Sequence, residues 1–377
     1  MEVSDVVTAL GGIMDRVMSG RVPAGSVAAG SVTAGRPLAF VQPIPRHLVH
    51  RASVAEVYLT DAVAVAGEGD RFLVAAQWPR DHALYHPDGN GCADPLLFAE
   101  TIRQTLVFLA HEHYGVPLGY RFVGRDMEFE ISEPSVLKVG AVPLPVVLEV
   151  SWVWVDHRPP QRYGMRVEAV LTVGGVPCGR GSLRVVAVDE KRYGLLRRRG
   201  SRPAVPSPGA AVQPDLPERP VLPDRPGRGV VPERGERLPA HRVGRLRAKD
   251  SVLRTGGREG EWDLDVDLGH AILFDHPTDH VPLMVLLEGF RQLGYLQTSQ
   301  GEGAVPHTLT GVSVTCLAFA ELDVLVRLVM TGHRASARGG SPALLGAQAV
   351  QSGVLLSTVS MFWTADSSTP AAVSGAV

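Results

Sequence analysis

The chain has 377 residues, of which 45% are hydrophobic and 20% charged, and its formal net charge is -2. This balance excludes a strongly basic nucleic-acid-binding protein and a highly charged disordered chain, and the length suggests two or three domains. No apolar stretch is long enough to cross a membrane, and the first residues carry acids where a secretory leader would be basic. The three cysteines, Cys92, Cys178 and Cys316, show no metal-binding spacing, and a sparse, odd number is typical of a reducing compartment. We therefore expect a cytoplasmic protein that binds neither nucleic acid nor membranes.

Small residues and prolines divide the chain into two halves. Residues 1–35 end in a run of Gly, Ala, Ser and Val, and we predict a flexible segment there. Ten of the 29 prolines fall between residues 200 and 240. Because proline lacks a backbone N–H and fixes φ, that segment cannot supply a core element. We predict a first domain at residues 36–197, a linker at 198–240 and a second domain at 241–377.

The two halves show the same order of predicted elements. In each half, two predicted strands come before a long apolar helix, and further strands with alternating patterns follow it. In the first half the strands are 49–60 and 70–79, the helix is 94–115, and the later strands are 146–155, 162–173 and 178–188, the last two joined by a Gly-Gly turn. In the second half the strands are 243–253 and 261–268, the helix is 279–297, and the later strands are 309–320, 322–332 and 354–363.

A Glu-x-x-Arg-Gln motif occurs once in each predicted helix. The copies are Glu100-Arg103-Gln104 and Glu288-Arg291-Gln292, with 188 residues between equivalent positions. Residues at i, i+3 and i+4 share one helix face, so each apolar helix carries one polar stripe. A buried Glu beside a buried Arg is costly unless the two are paired or used in function. We therefore predict the functional site on these faces, with a purely structural ion pair as the alternative.

A second repeated pair comes before each helix. Asp81-His82 and Asp275-His276 are 194 residues apart, which predicts that the first loop is six residues longer. The two histidines are candidate catalytic residues, with a turn-capping role as an equal alternative, and the two aspartates are candidate substrate-binding residues. His111 lies near the predicted C-terminal end of the first helix, where we expect it at the surface and favoured by the helix dipole.

The segments that carry a family resemblance come from both halves. VHRASVAEVYLTD, FLVAAQWPRDHALY and DPLLFAETIRQTLVFLAHEHYGVPLG in the first half, and DHVPLMVLLEGFRQ in the second, resemble the A-factor biosynthesis (AfsA-type) proteins of Streptomyces and relatives. The second-half segment is also similar to the His-loop-Pro-x-Met…Glu pattern of hydroxyacyl-ACP dehydratases, without their usual Pro-Gly. The resemblance covers roughly residues 45–190 and 240–365. It implies an α+β double hotdog, in which two repeats, each a long central helix wrapped by an antiparallel sheet, pack as a pseudo-dimer.

The resemblance also implies an activity. Proteins of this family are thought to join a β-ketoacyl chain, carried as an ACP or CoA thioester, to the hydroxyl of dihydroxyacetone phosphate. The product leads to γ-butyrolactone, butenolide or furan signalling molecules that control antibiotic production. Such a transfer requires a base, hydrogen-bond donors for the oxyanion and a group that binds the phosphate. It requires neither a metal nor a redox cofactor. The Arg197–Arg199 run is a candidate binding site for an acidic acyl carrier protein. The alternative interpretation is a solvated edge of the linker.

On this hypothesis each residue type of the repeated motif has a role. Burial raises the pKa of a glutamate, which then acts as the base near neutral pH. The arginine binds phosphate or orients the carboxylate, and the glutamine donates to the acyl carbonyl. One repeat or both can be active. Two other functions stay open, namely a hotdog dehydratase or thioesterase acting on acyl thioesters, and a non-catalytic ligand-binding protein.

Overall fold

The computed structural model describes residues 36–200, 235–299, 307–335 and 342–365. The predicted flexible segment at 1–35 and most of the predicted linker lie outside the described residues. The strands are β1 Leu59–Ala64, β2 Arg71–Trp78, β3 Arg121–Ile131, β4 Leu144–Trp154, β5 Tyr163–Val173, β6 Val176–Val188, β7 Leu253–Thr255, β8 Glu261–Leu264, β9 His307–Cys316, β10 Val326–Arg334, β11 Ala343–Gln351 and β12 Val354–Ala365. The α-helices are α1 Leu96–Glu112, α2 Glu190–Gly200 and α3 Leu283–Thr298.

All twelve strands form one antiparallel sheet. Its order is β1-β2-β4-β5-β6-β3-β9-β12-β11-β10-β8-β7. Counted from each outer edge, the strands of the two halves follow the same order, so the halves are related by a pseudo-twofold axis. They join where β3 pairs with β9, with Asp126 opposite Thr315 and Glu130 opposite Gly311. The backbone hydrogen bonds of the sheet therefore continue from one half into the other.

Each long helix is wrapped by the sheet of its own half. In α1 and α3 nearly every side chain is buried, because both helices are apolar on most sides. Glycines allow the helices to approach the sheet closely. A Cβ at Gly181 in β6 would lie 2.6 Å from Ile102 Cδ1 of α1, and a Cβ at Gly294 in α3 would lie 2.6 Å from the Trp363 ring of β12. Two central helices inside one pseudo-symmetric sheet confirm the predicted double hotdog.

The first predicted strand of each half was wrong over most of its length. In place of residues 49–60 there are two 3₁₀ turns, Arg46–Val49 and Val54–Glu56, and β1 begins only at Leu59. The second half repeats this with 3₁₀ turns at Ala240–Val243 and Ala248–Asp250. The backbone leaves the extended region between the turns, where His50 has a φ of 52°. Alternating apolar residues here reflect packing of a folded-back segment against the helix rather than a strand.

Three elements were not predicted. Strand β3 carries charged residues on its exposed face, and β11 consists mainly of small apolar residues that do not alternate with polar ones. Helix α2 continues the chain after β6 and runs to Gly200, across the predicted domain boundary at residue 197. Within the described part of the chain, no helix is long and apolar enough to cross a membrane.

Candidate active site

The first polar cluster surrounds Glu100, which is fully buried on α1. Its Oε1 accepts hydrogen bonds from Arg103 Nη2 and Gln104 Nε2, both at 2.7 Å, and its Oε2 accepts from Arg103 Nε at 2.8 Å. A second arginine, Arg51, approaches Oε1 through Nη2 at 2.6 Å. One carboxylate thus holds two guanidinium groups and an amide.

The second cluster surrounds Glu288 on α3, and it is arranged differently. Arg245 donates to both carboxylate oxygens, through Nε at 2.7 Å and Nη2 at 2.5 Å, and its side chain is 0% exposed. Arg291 does not bind Glu288. Its Nη1 donates to the carbonyl oxygens of Val243 and Gly244 at 3.1 and 3.2 Å. Its Nε lies 3.5 Å from Asp94 Oδ2. The arginine of the predicted motif therefore binds backbone carbonyl groups and Asp94, and another arginine pairs with the glutamate.

Arg51 and Arg245 occupy equivalent positions, and the sequence prediction missed both. Each arginine reaches an aspartate of the opposite half, because Arg245 Nη1 lies 2.8 Å from Asp94 Oδ2 and Arg51 Nη1 lies 4.0 Å from Asp275 Oδ2. The available signal was a repeated His-x-Val-x-Arg pattern ending at Arg51 and Arg245, 194 residues apart. It sits in segments that were interpreted as strands, so their side chains were not expected to reach the helices.

The expected rise in the pKa of Glu100 is wrong. Burial does oppose ionisation, but Arg103 and Arg51 and the hydrogen bonds from Arg103 and Gln104 outweigh it, and the pKa falls to about 2. Glu100 is therefore a carboxylate at neutral pH and is poorly suited to accept a proton. Its charge instead fixes the positions of two arginines.

The two glutamines connect each helix to the segment before β1 or β7. Gln104 Nε2 donates to Glu56 O and to Glu100 Oε1, both at 2.7 Å, and its Oε1 accepts from Tyr58 N at 3.0 Å. Gln292 makes the matching three bonds, to Asp250 O, Glu288 Oε1 and Val252 N. Both amide hydrogens are used within the protein, so neither is available for the predicted bond to an acyl carbonyl.

His82 is buried and holds a turn. Its Nδ1 accepts hydrogen bonds from the backbone N–H groups of Leu84 and Tyr85, at 3.2 and 2.9 Å. Its Nε2 lies 3.3 Å from Glu56 Oε2. Both ring nitrogens have protein partners. This arrangement corresponds to the turn-capping role, which was the alternative to catalysis for this residue.

The structural counterpart of His82 is His270, not His276 as the spacing suggested. His270 Nδ1 accepts from Leu273 N at 3.1 Å, and its Nε2 lies 3.1 Å from Asp250 Oδ1. Both histidines precede their helix glutamate by 18 residues. The six extra residues of the first half therefore lie before His82 rather than in the loop before the helix.

The two predicted Asp-His pairs have different surroundings. Asp81 is exposed and does not line the large cavity. The Asp275 side chain is 1% exposed, and it accepts hydrogen bonds from the backbone N–H groups of Ala52 and Ser53 at 2.6 and 2.9 Å. Its neighbour His276 is 48% exposed, with Nδ1 3.4 Å from Asp275 Oδ2. Only the second-half pair faces the Glu100 cluster.

A cavity of about 730 Å³ lies beside the Glu100 cluster, between α1, β3, β6 and the loop that precedes α3. This size is typical of a small-molecule site. A smaller cavity of about 290 Å³ shares three of its lining residues, Gly124, His280 and Leu283. The apolar side of the larger cavity is formed by Leu106, Val107, Phe122, Leu183, Ile272 and Met284.

The polar side of this cavity is rich in cations. Arg46, Arg51, Arg103 and Arg121 line it, together with three carboxylates that have protein partners of their own, namely Asp275, Asp279 and Glu190. Arg46 donates to the Ala52 carbonyl oxygen and forms no ion pair with any carboxylate among the described residues. Arg103 uses Nε and Nη2 on the protein, whereas its Nη1 has no acceptor in the described part of the chain. The cavity therefore offers positive charge to a ligand anion.

The second half has no matching cationic wall. The position equivalent to Arg46 is Ala240, and the one equivalent to His50 is Gly244. A Cβ at Gly244 would lie 2.8 Å from the ring of Tyr295, which fills the corresponding space. Arg245 and Glu288 do not line the large cavity. The Glu100 cluster therefore adjoins the large cavity and the Glu288 cluster does not, although both contain the Glu-x-x-Arg-Gln motif.

His111 is buried, contrary to the prediction that it lies at the surface. Its side chain turns inward at the end of α1, where Nδ1 lies 2.6 Å from the carbonyl oxygen of Val116 and Nε2 lies 2.9 Å from His50 Nε2. The chain turns back at Gly115 with a φ of 64°, and this turn covers the end of the helix. A periodicity argument gives the helix face of His111 but not the turn that buries it.

The fold and the site together define a double-hotdog protein with a cationic, partly apolar cavity between the halves, beside the Glu100 cluster. The chain belongs to the family described as the A-factor biosynthesis hotdog domain (AfsA), whose model matches residues 32–189 and 231–366. It is 39% identical over 249 residues to a 2-oxo-3-(phosphooxy)propyl 3-oxoalkanoate synthase of Streptomyces virginiae, which covers 66% of this chain and 75% of the relative. The protein of the same description from Streptomyces griseus is 35% identical over 272 residues, 71% of this chain and 79% of the relative.

Among solved structures, an acyl-ACP thioesterase from Bacteroides thetaiotaomicron is similar to the chain. The identity is 10% and the TM-score 0.41, over 77% of this chain and 97% of the thioesterase.

Proposed function

We propose that this chain transfers a 3-oxoacyl group from a thioester to the primary hydroxyl of dihydroxyacetone phosphate. The product is a 2-oxo-3-(phosphooxy)propyl 3-oxoalkanoate, the compound named in the relatives from three Streptomyces species. Family membership and 30–39% identity over about two thirds to three quarters of the chain support this reaction. Its phosphooxypropyl portion has the carbon skeleton of dihydroxyacetone phosphate.

The observation that carries the proposal is the combination of cations and apolar walls in one cavity. The acceptor brings a phosphate, and the donor brings an acyl chain. Arg46 and the Nη1 group of Arg103 offer hydrogen bonds and charge to the phosphate. The apolar wall, continued by the smaller cavity, accommodates the chain.

The proposed reaction takes place in the first half only. Arg46 has no counterpart in the second half, where Ala240 stands, and Tyr295 fills the space beside Gly244. The Glu288 cluster is satisfied within the protein, with a fully buried Arg245. It acts as a structural support, and the glutamate of the first half acts as a fixed counter-ion.

Glu100 contributes by placing Arg51 and Arg103 rather than by taking a proton. Its pKa of about 2 keeps it ionised at any working pH. Because each guanidinium is held by a buried carboxylate, both cations are preorganised toward the cavity and need no rearrangement when charge develops on the thioester oxygen. His276, whose Nδ1 lies 3.4 Å from Asp275 Oδ2, lines the same wall.

The donor is proposed to be an acyl carrier protein or coenzyme A thioester. The proposed location is the cytoplasm, since none of the three cysteines forms a disulfide and a reducing compartment is typical of such a chain. No cofactor takes part in the proposed step, which exchanges a C–S bond for a C–O bond.

The test is incubation of the protein with a 3-oxoacyl thioester, with and without dihydroxyacetone phosphate, followed by mass spectrometry. The proposal expects the phosphorylated ester only when the acceptor is present. Free 3-oxo acid released at the same rate without acceptor would identify a thioesterase instead. A 2,3-unsaturated product from a 3-hydroxyacyl thioester would identify a dehydratase.

Arg46→Ala refines this test. A hydrogen bond to a charged group contributes about 1.5–3 kcal/mol, so KM for dihydroxyacetone phosphate should rise roughly 10- to 100-fold. The matched control is Arg242→Ala, an exposed arginine in the equivalent 3₁₀ turn of the second half. An equal effect of both substitutions would show that the cavity does not bind the phosphate.

A further inference from the structure

The His50 side chain stands at a position where the backbone favours glycine. Its φ of 52° is in the left-handed region, which is unfavourable for a residue with a Cβ. The second half has Gly244 there, with a φ of 65°. The first half therefore keeps an imidazole at a conformational cost that the second half avoids. This is the pattern expected of a side chain held for its chemistry.

The hydrogen bonds around His50 fix the protonation of its ring. Because a carbonyl oxygen can only accept, the contact of 2.6 Å between His111 Nδ1 and Val116 O places a hydrogen on that nitrogen. The Nε2 of a neutral His111 is then an acceptor. It lies 2.9 Å from His50 Nε2, which must donate. The remaining nitrogen, His50 Nδ1, thus carries a lone pair.

That lone pair is available to a ligand. His50 lines the large cavity with Arg51 and Arg103, and its Nδ1 has no hydrogen-bond partner among the described residues. Phe122 packs edge-on against the ring, with 5.1 Å between centroids, and also contacts His111 at 5.1 Å. The ring is therefore held on two sides, by a hydrogen bond and by an aromatic contact.

We propose that His50, oriented by His111, is the general base of acyl transfer in the cavity beside the Glu100 cluster. This inference rests on the proposed function. His50 Nδ1 takes the proton of the acceptor hydroxyl while that oxygen bonds to the thioester carbonyl carbon. When the tetrahedral intermediate collapses, the C–S bond breaks and the thiolate takes the proton back from Nδ1. His50 ends in its starting tautomer, and His111 keeps its own throughout.

The electrostatic surroundings suit a base that works only when the acceptor is bound. Burial, and after it the positive charge of Arg103 with that of Arg121, lowers the pKa of His50 to about 3, which keeps the ring neutral. A phosphate placed among these cations offsets their charge and raises the pKa of His50 toward the range in which general bases are effective. An acceptor without phosphate does not supply this change.

Kinetics of four single variants test the proposal. His50→Gln removes the base, so kcat should fall by about 10²- to 10⁴-fold while KM for either substrate changes little. His111 positions His50, and His111→Gln retains an acceptor oxygen. This variant should therefore have a higher kcat than His111→Leu. His113→Gln, at an exposed histidine of the same helix end, is the control and should behave as wild type.

Wild-type kcat in His50→Gln, in a preparation whose wild type forms the ester, would overturn the proposal without affecting the proposed function. Absence of ester from wild type would remove both.

Ring ¹⁵N chemical shifts of histidine-labelled protein provide a readout independent of activity. We expect His111 protonated at Nδ1 and His50 protonated at Nε2, each assigned by loss of its signals in the variant. Addition of dihydroxyacetone phosphate should raise the pKa of His50 in the titration, and unphosphorylated dihydroxyacetone should not. Protonation of His50 at Nδ1, or a pKa that does not respond to the phosphate, would overturn the proposal.

Discussion

Arg245 of the second half donates to Asp94 of the first half, with 2.8 Å between Nη1 and Oδ2. The same aspartate caps the start of α1, because its Oδ1 accepts from Leu96 N at 2.9 Å. Arg245 also binds Glu288 of its own half. One fully buried guanidinium therefore connects the beginning of one central helix to the middle of the other.

We expect Arg245→Ala to be strongly destabilising. The substitution leaves Glu288 buried without its cation and Asp94 with Arg291 alone, and breaking a buried pair in this way costs about 3–5 kcal/mol. Urea unfolding should show a correspondingly lower free energy. Arg242→Ala, at an exposed arginine of the neighbouring turn, should leave it unchanged. Similar values for both variants would show that the Glu288 cluster does not support the fold.

The division into two domains and a linker predicts the outcome of limited proteolysis. Cleavage should occur between about residues 200 and 240, where the sequence is rich in proline. The two fragments should elute together in gel filtration, because β3 and β9 are hydrogen-bonded across the halves and both helices bury their faces in the shared sheet. Two fragments that separate into independent monodisperse species would contradict the pseudo-dimer.

Glu100 predicts a specific acid sensitivity. Its pKa in the folded chain is about 2, below its ordinary value of 4.5. A lowered folded pKa stabilises the protein fully above the ordinary value, and that contribution is lost as the pH falls through the folded pKa. Unfolding of wild type should therefore show a loss of stability between about pH 4.5 and 2 that is smaller in Glu100→Gln. Identical acid profiles for the two proteins would show that the arginines do not hold Glu100 ionised.

Arg103→Lys and Arg291→Lys should separate the two repeats. Lysine keeps the charge but lacks the planar fork of a guanidinium. Arg103→Lys should raise KM for dihydroxyacetone phosphate more than KM for the thioester, whereas Arg291→Lys should leave both unchanged, because Arg291 does not line the cavity. With unphosphorylated dihydroxyacetone the difference between Arg103→Lys and wild type should disappear. If both variants kept the wild-type acceptor preference, the phosphate would be bound elsewhere.

The polar stripe on each helix was predictable because helical spacing alone places Glu100, Arg103 and Gln104 on one face. Their partners were not predictable from local pattern. Arg51 reaches Glu100 from 49 residues away through a 3₁₀ turn, and Asp275 contacts Ala52 from 223 residues away. Such contacts depend on how the two halves pack, which periodicity does not encode.

The predicted chemistry of Glu100 was wrong for a related reason. Burial alone would raise the pKa of a carboxyl group, and the sequence gives burial correctly. The sign of the shift depends on how many cations converge on the carboxylate, and only the folded chain brings Arg51 beside Arg103. In the same way, the helix face of His111 was predictable, but the tautomer that its neighbours impose was not.

The joining of both halves in one polypeptide has a genetic consequence. In a homodimer of identical hotdog subunits, a codon change alters both symmetry-related positions at once, so any residue suited to one face is imposed on the other. In this chain each position has its own codon. Arg46, His50 and His111 can therefore occupy positions where the second half has Ala240, Gly244 and Ser299. The second half is free to adopt the side chains that best support the first.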